Sequence, residues 1–331
     1  MTMSAPPLTV AMSVYNNGRF VGEAIDSILD QSFGDFEFLI VNDGSTDKSG
    51  AVIEDRAASD SRIRVIHQEN RGFIASLNRM LAEARSPWIA RMDGDDISFP
   101  ERFAKQMAFL EANPDHGVIG CSASLIGPEG EAVTRPPIVR PLTHEGLIEN
   151  LESGPLINHN AVIYSREAVL AVGAYRPAYR HAEDYDLWLR LSTVTLMANL
   201  PEALVAYRLY PDQVSARHVV AQARHAAIAW LAHCERKAGK PDPTEGSETL
   251  PALEQLDAIF GKGSAAYVRS RVIDRTLYSP EAIGGEGYEM LIDHIAENGT
   301  DPALWRAAAR LLKSGRPRKA AGVANALLRA G

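Results

Sequence analysis

The sequence predicts an α/β protein: a Rossmann-like, doubly wound, mostly parallel sheet with an additional α-helical C-terminal module. Three observations predict it. Short apolar, β-branched runs alternate with helical patterns over the first hundred residues, as parallel βαβ units require. The conspicuous polar turns fall where those runs end. Beyond about Ser215 no strand pattern survives.

Leu8 to Val14 is apolar throughout and reads as a strand buried on both faces. After the loop Tyr15-Asn16-Asn17-Gly18, the residues Phe20, Ala24, Ile25, Ile28 and Leu29 share one helical face. Phe36 to Val41 is a second strand, closed by the turn signal Asn42-Asp43-Gly44-Ser45. A helix from about Asp47, a strand Ile63 to His67 and a helix Phe73 to Ala84 follow. Pro87 to Met92 is a fourth strand ending at Asp93-Gly94-Asp95-Asp96; Ser98 and Pro100 then mark a helix start, with Glu101 where the dipole favours it. Gly117 to Leu125 and Asn158 to Tyr164 read as strands separated by a Pro- and Gly-rich loop, and a strand pair is expected near Leu196 to Tyr207. The remainder is Ala-, Leu- and Arg-rich, interrupted by the polar linker Gly239 to Thr249. The expected domains are therefore 1–215 and 216–331.

The totals exclude several classes of function. A formal net charge of −8 argues against bulk nucleic-acid binding. Two cysteines, Cys121 and Cys234, far apart and without zinc spacing, predict neither a disulfide framework nor structural zinc, and fit a reducing cytosol. Met1 to Pro7 lacks the charged and apolar regions of a signal peptide, and no apolar run approaches the roughly 20 residues that span a bilayer. The expectation is a cytoplasmic protein whose membrane contact, if any, is peripheral at the inner face.

In an open parallel sheet, ligands bind outside the carboxyl ends of the strands. Tyr15-Asn16, Asp43 and Asp93-Gly94-Asp95-Asp96 all lie there. Carboxylates as close as Asp93, Asp95 and Asp96 repel one another, and a divalent cation removes that cost. Hard oxygens suit Mg2+ or Mn2+, which keep positions open for phosphate; the alternative is a solvated acidic turn capping the helix near Pro100. Asp43 either accepts from a base or caps the helix at Asp47, and Arg71 either reaches a base or phosphate or is solvated. In His181-Ala182-Glu183-Asp184-Tyr185-Asp186-Leu187-Trp188, the acids precede an apolar stripe, so Asp184 sits at a helix N-terminus. There it either takes a proton from an attacking hydroxyl or caps the helix.

Together these segments resemble family 2 of the inverting glycosyltransferases, which carry the nucleotide-sugar-binding GT-A fold. The likeness runs from about Leu8 to Ser215. It rests on Ser13-Val14-Tyr15-Asn16, Val41-Asn42-Asp43-Gly44-Ser45-Thr46-Asp47, Asn70-Arg71-Gly72 with Asn78, Met92-Asp93-Gly94-Asp95-Asp96, and Glu183-Asp184-Tyr185-Asp186-Leu187-Trp188-Leu189-Arg190. The resemblance implies transfer of a single sugar from a nucleoside diphosphate sugar, UDP first among them, to a hydroxyl of a glycan or lipid-linked acceptor. Tyr15, Asp43 and Arg71 would line the nucleobase pocket; Asn16, Asp93 and Arg208 complete the donor-binding set. Asp95 and Asp93, with His218 as a further candidate, would hold Mn2+ or Mg2+, and Asp184 would be the catalytic base, with Asp186 in reserve. The Gln-x-x-Arg-Trp motif of processive synthases is absent.

Two rivals are a sugar nucleotidyltransferase, which wants a Gly-rich loop after the first strand, and a non-catalytic nucleotide-sugar-binding scaffold in glycan assembly. From Pro302 onward seven cations and no acid accompany Leu304, Trp305, Leu311 and Leu312. Such helices suit either an anionic lipid surface or packing on their own domain or on a second subunit as a homodimer.

Overall fold

The computed structural model describes residues 5–135, 139–210 and 218–330. They form two compact units, one drawn from 5–176 and 183–210 and the other from 177–182 and 218–330. The expected boundary at 215/216 lies outside the described residues.

The first unit is built on an eight-stranded sheet: β1 (Leu8–Val14), β2 (Phe36–Asp43), β3 (Ile63–Gln68), β4 (Trp88–Asp93), β5 (Ile97–Ser98), β6 (His116–Ile126), β7 (Ile163–Ser165) and β8 (Leu196–Arg208), in the order β3-β2-β1-β4-β7-β6-β8-β5. Strands β3, β2, β1 and β4 are mutually parallel, so their carboxyl ends share one edge; Val14 is level with Asn42, and Ser13 with Asp93. Helices α1 (Val21–Leu29), α2 (Ser49–Ser59) and α3 (Phe73–Glu83) connect them. The continuous apolar runs of the sequence are explained by burial on both faces. Leu8, Val10, Met12 and Val14 pack with α1, and Ala11, Leu39 and Val41 with α3.

Past β4 the sheet departs from simple alternation. Strand β7 runs antiparallel to both β4 and β6, and β5 runs antiparallel to β8. The segment read as a strand from Asn158 is a 3-10 turn at His159–Ala161 followed by the short β7. The expected strand pair near Leu196 is one 13-residue strand, β8, whose register against β6 shifts at Cys121 and Ser122. Such irregularities bend a strand and re-aim its side chains. Helices α4 (Arg102–Ala112), α5 (His144–Asn150), α6 (Arg166–Ala171) and α7 (Glu183–Leu191) complete the unit. Helix α7 buries Leu187, Trp188 and Leu191 against the core that holds Ile89 of β4 and Tyr164 of β7.

The second unit is helical: α8 (Val219–Lys237), α9 (Leu256–Phe260), α10 (Ser264–Thr276), α11 (Pro280–Ile283), α12 (Tyr288–Asn298), α13 (Pro302–Lys313) and α14 (Pro317–Ala330). Leu304, Ala307, Ala308 and Leu311 of α13 pack with Ala320, Val323 and Leu327 of α14 and with Leu291 and Ile295 of α12. The apolar side of the cation-rich terminal helices is thus consumed inside its own core. Trp305 and Leu312 remain outside it as exposed side chains. No helix among the described residues is long and apolar enough to cross a membrane.

Candidate active site

The loops after β1 and β2 are tied to each other before they can bind anything. Asn16 adopts a left-handed φ of +51°, which Asn tolerates better than most residues. Its Oδ1 accepts the Thr46 N–H at 2.8 Å, and its own N–H donates to Ser45 Oγ at 3.0 Å. Asn16 therefore shapes the edge of the site, whereas Tyr15 beside it is 54% exposed. Gly44 is required at its position: φ is +74°, and an added Cβ would stand 2.6 Å from the Asn70 backbone nitrogen.

Asp43, at the end of β2, is buried, and both its oxygens are engaged. Oδ1 accepts from Arg71 N at 2.8 Å and Gln68 Nε2 at 2.7 Å, and Oδ2 from Gly72 N at 2.9 Å. The carboxylate fixes the turn that holds Arg71 with its side chain exposed. Asp43 and Arg71 are thus brought together through the Arg71 backbone.

The cluster after β4 is the most highly charged part of the edge. One carboxylate oxygen from each of Asp93, Asp95 and Asp96 lies within 4.8 Å of the others. Asp96 is buried and accepts the Arg208 N–H at 2.8 Å and the Asn160 amide. Burial, then the carboxylates of Asp95 and Asp93, push its pKa well above the ordinary range, against the pull of those two hydrogen bonds. Asp95 accepts from the Tyr210 hydroxyl at 2.7 Å. Burial, then Asp93, raise it to about 6, while Tyr210 and Arg91 pull it down. Asp93 forms an ion pair with Arg91. Three carboxylates gathered this closely, two of them with raised proton affinity, are a donor set that a hard divalent cation fits.

Alternation along β4 places Ile89, Arg91 and Asp93 on one face, with Ala90 and Met92 on the other. The first face carries Ile89 into the layer that contains α7. Asp184 lies at the start of α7, partly exposed between the buried Glu183 and Tyr185, and its Oδ1 accepts the Tyr185 N–H at 2.7 Å. Burial raises it to about 6, against the Tyr185 hydrogen bond and the charges of Arg91 and Arg140. Beside it an aromatic group forms: His159 Nε2 and the Tyr175 hydroxyl are 2.8 Å apart, and the His159 ring meets Phe73 and Trp188 edge-on. Burial, then the Arg91 charge, hold His159 well below its usual pKa.

Two expectations need correction. Asp186 has no exposure; it is ion-paired with Arg176 and Arg190, Arg190 Nη2 donating to it at 2.7 Å, so the reserve base is unavailable. Arg208 is buried, and its guanidinium is bound within the protein. Nε donates to the Asp95 carbonyl at 2.7 Å, Nη1 to the Pro128 carbonyl at 3.1 Å and Nη2 to Glu23 at 2.6 Å. It buttresses the acidic turn, its Nε, Nη1 and Nη2 all directed at groups of the protein. His218 belongs to the second unit, where its ring stacks on His181 with 4.2 Å between centroids. Sequence reading missed Arg91 and Tyr210. The only signal for Arg91 was an ionisable residue in phase with Asp93 inside an apolar strand; Tyr210, 115 residues from Asp95, gave none.

An open α/β sheet with an acid cluster outside its parallel strand ends offers a place for a nucleotide and a divalent cation. A family model described as glycosyl transferase family 2 matches residues 9–170. An uncharacterized glycosyltransferase of Haemophilus influenzae is 34% identical over 223 residues, covering 64% of this chain and 68% of that one. The amylovoran biosynthesis glycosyltransferase AmsE of Erwinia amylovora is 29% identical over 214 residues, covering 63% and 79%. Two solved structures share the fold. One is a Pyrobaculum calidifontis mannosyltransferase in complex with GDP-Man and Mn2+, with a TM-score of 0.54, 18% identity and coverage of 98% and 88%. The other is S. aureus TarS 1–349 in complex with UDP, with a TM-score of 0.57, 17% identity and coverage of 97% and 88%. The chain belongs to glycosyltransferase family 2, with the GT-A fold and a helical C-terminal region, and is a glycosyltransferase.

Proposed function

We propose that the protein transfers one sugar from a UDP-sugar to a hydroxyl of a glycan or lipid-linked acceptor, with inversion, in the cytoplasmic assembly of a cell-surface polysaccharide or glycolipid. The observation that carries this reading is the gathering of Asp93, Asp95 and Asp96 within 4.8 Å at the carboxyl end of β4, in a unit that also presents Asp184 from α7. Support for the nucleotide is the UDP complex of TarS, and for the setting the named role of AmsE.

Asp93 and Asp95 would hold a cation, Mn2+ or Mg2+, which when bound would supply Lewis-acid neutralisation of the diphosphate charge. The Arg71 loop, fixed by Asp43, and the exposed ring of Tyr15 receive the nucleobase. Asp184 accepts the proton of the acceptor hydroxyl as its oxygen attacks the anomeric carbon. The bond from that carbon to the diphosphate breaks, and its electron pair leaves with the nucleotide. A single displacement inverts the centre. A carboxylate raised to about 6 suits a base that must be ionised at neutral pH yet still attract a proton.

The test is nucleotide release from a panel of UDP- and GDP-sugars, with Mn2+ and with chelator. Metal-dependent release of UDP from one donor is the expected result. Tight donor binding without release from any sugar, with or without acceptor, would turn the reading to the scaffold.

A further inference from the structure

Arg91 is a buried cation in a strand that is otherwise apolar up to Asp93. Its guanidinium lies over the Phe73 ring, 5.0 Å from the centroid, and its Nη1 meets Oδ1 of Asp93. Among the described residues Asp93 is the carboxylate that pairs with it, and Nε has no hydrogen-bond partner. Burying a guanidinium for stability alone calls for all its donors to be filled, as Asp186 and two backbone carbonyls fill those of Arg190. Among the described residues Arg91 instead keeps one ion pair, and that pair is with a member of the acid cluster.

We propose that Arg91 is a positioning residue for the cation site, holding Asp93 from the buried side so that the carboxylate's other oxygen faces Asp95. Its role rests on the reading of Asp93 and Asp95 as cation ligands. The backbone provides the geometry: residues i and i+2 of a strand stand on the same face, so the guanidinium reaches Asp93 from the neighbouring position on that face. A neighbour that orients a ligating side chain governs affinity without touching the ion, and removing one costs about 10- to 100-fold in metal binding.

The test is Mn2+ affinity of the full chain in the presence of UDP, measured by electron paramagnetic resonance of free Mn2+, for wild type, Arg91→Met, Asp93→Asn and the double variant. Arg91→Met weakens Mn2+ binding by about tenfold or more. In the Asp93→Asn background the same change has no further effect, because Arg91 acts through that carboxylate. A purely structural role moves the melting temperature and leaves the affinity of the folded fraction intact. Wild-type affinity in Arg91→Met, or losses that multiply in the double variant, overturns the role. If Arg91→Met does not fold, Arg91→Lys, which keeps the charge without the fork, is taken through the same cycle. An intermediate loss that vanishes beside Asp93→Asn supports the role; an unchanged affinity overturns it. Wild-type protein that binds no Mn2+ removes the cation reading itself, which distinguishes that failure from a failure of Arg91 alone.

Discussion

Asp184 and Asp186 stand two residues apart on α7 under opposite conditions. Asp186 is sealed in the interior, where the side chains of Arg176 and Arg190 converge on it, and Arg190 is itself fixed to the carbonyls of Val172 and Ala174. Asp184 is partly exposed, accepts a helix N–H, and senses Arg91 and Arg140 only as neighbouring charges. The mouth of β4 resembles the second case: three acids with one ion-paired arginine. Where the fold neutralises an acid completely, the acid holds structure together. Where it leaves negative charge in excess at an open edge, a cation or a proton has work there.

The largest effect that would break this comparison is on turnover. Asp184→Asn lowers kcat by about a thousandfold, within the range for loss of a general base, while the donor Kd, read by calorimetry with UDP-sugar, stays within about twofold. Loss of donor binding with little change in kcat would move Asp184 into the donor site. The wild-type pH profile sharpens the point. With Asp184 raised to about 6, kcat/KM is full above that pH and falls tenfold per unit below it.

Asp186→Asn has its effect on stability. Removing one member of a buried ion pair leaves Arg176 and Arg190 uncompensated, at a cost of about 3–5 kcal/mol. Urea denaturation monitored by tryptophan fluorescence reads the loss. A variant of wild-type stability and no activity would reverse the roles given to the two acids.

The sequence could not make that separation. Glu183-Asp184-Tyr185-Asp186 places three acids in the first turn of a helix, and choosing among them needs Arg176, seven residues before α7, and Arg190 one turn further along it. The β-α alternation was legible because parallel strands buried on both faces leave unbroken apolar runs, Leu8–Val14 being the plainest. The strand ends were legible too, since Asp43 and Asp93 each close such a run. Arg208 was not. It lies 113 residues from the Asp95 carbonyl it supports, and only the pairing of β5 with β8 brings the two together. Long-range pairing of this kind leaves no periodic mark on either segment, so a lone arginine at the end of a strand looks equally fit for a diphosphate or a carbonyl.

The smallest effect, and the most direct probe of charge in excess at the β4 mouth, is the dependence of cation stabilisation on pH. Asp95 and Asp184 both rise from 3.8 to about 6 in the folded protein. The folded state therefore binds these protons more tightly than the unfolded chain does. The stability they lend is fully present below about 4 and lost as pH rises through 6. Mn2+ competes with the proton on Asp95 for the same oxygens, so its benefit runs the other way, slight at pH 5 and full at pH 7.5. At a tenfold excess over its Kd it adds about 1.4 kcal/mol, or about 3 °C in the transition of the first unit. Differential scanning fluorimetry at the two pH values, with Mn2+ and with chelator, reads the difference. An equal Mn2+ shift at both pH values would mean that the ion binds elsewhere. The same experiment on Asp95→Asn should abolish the shift at pH 7.5, whereas a lower protein charge at Asp186 should not, because the arginines there already occupy the oxygens a cation would need.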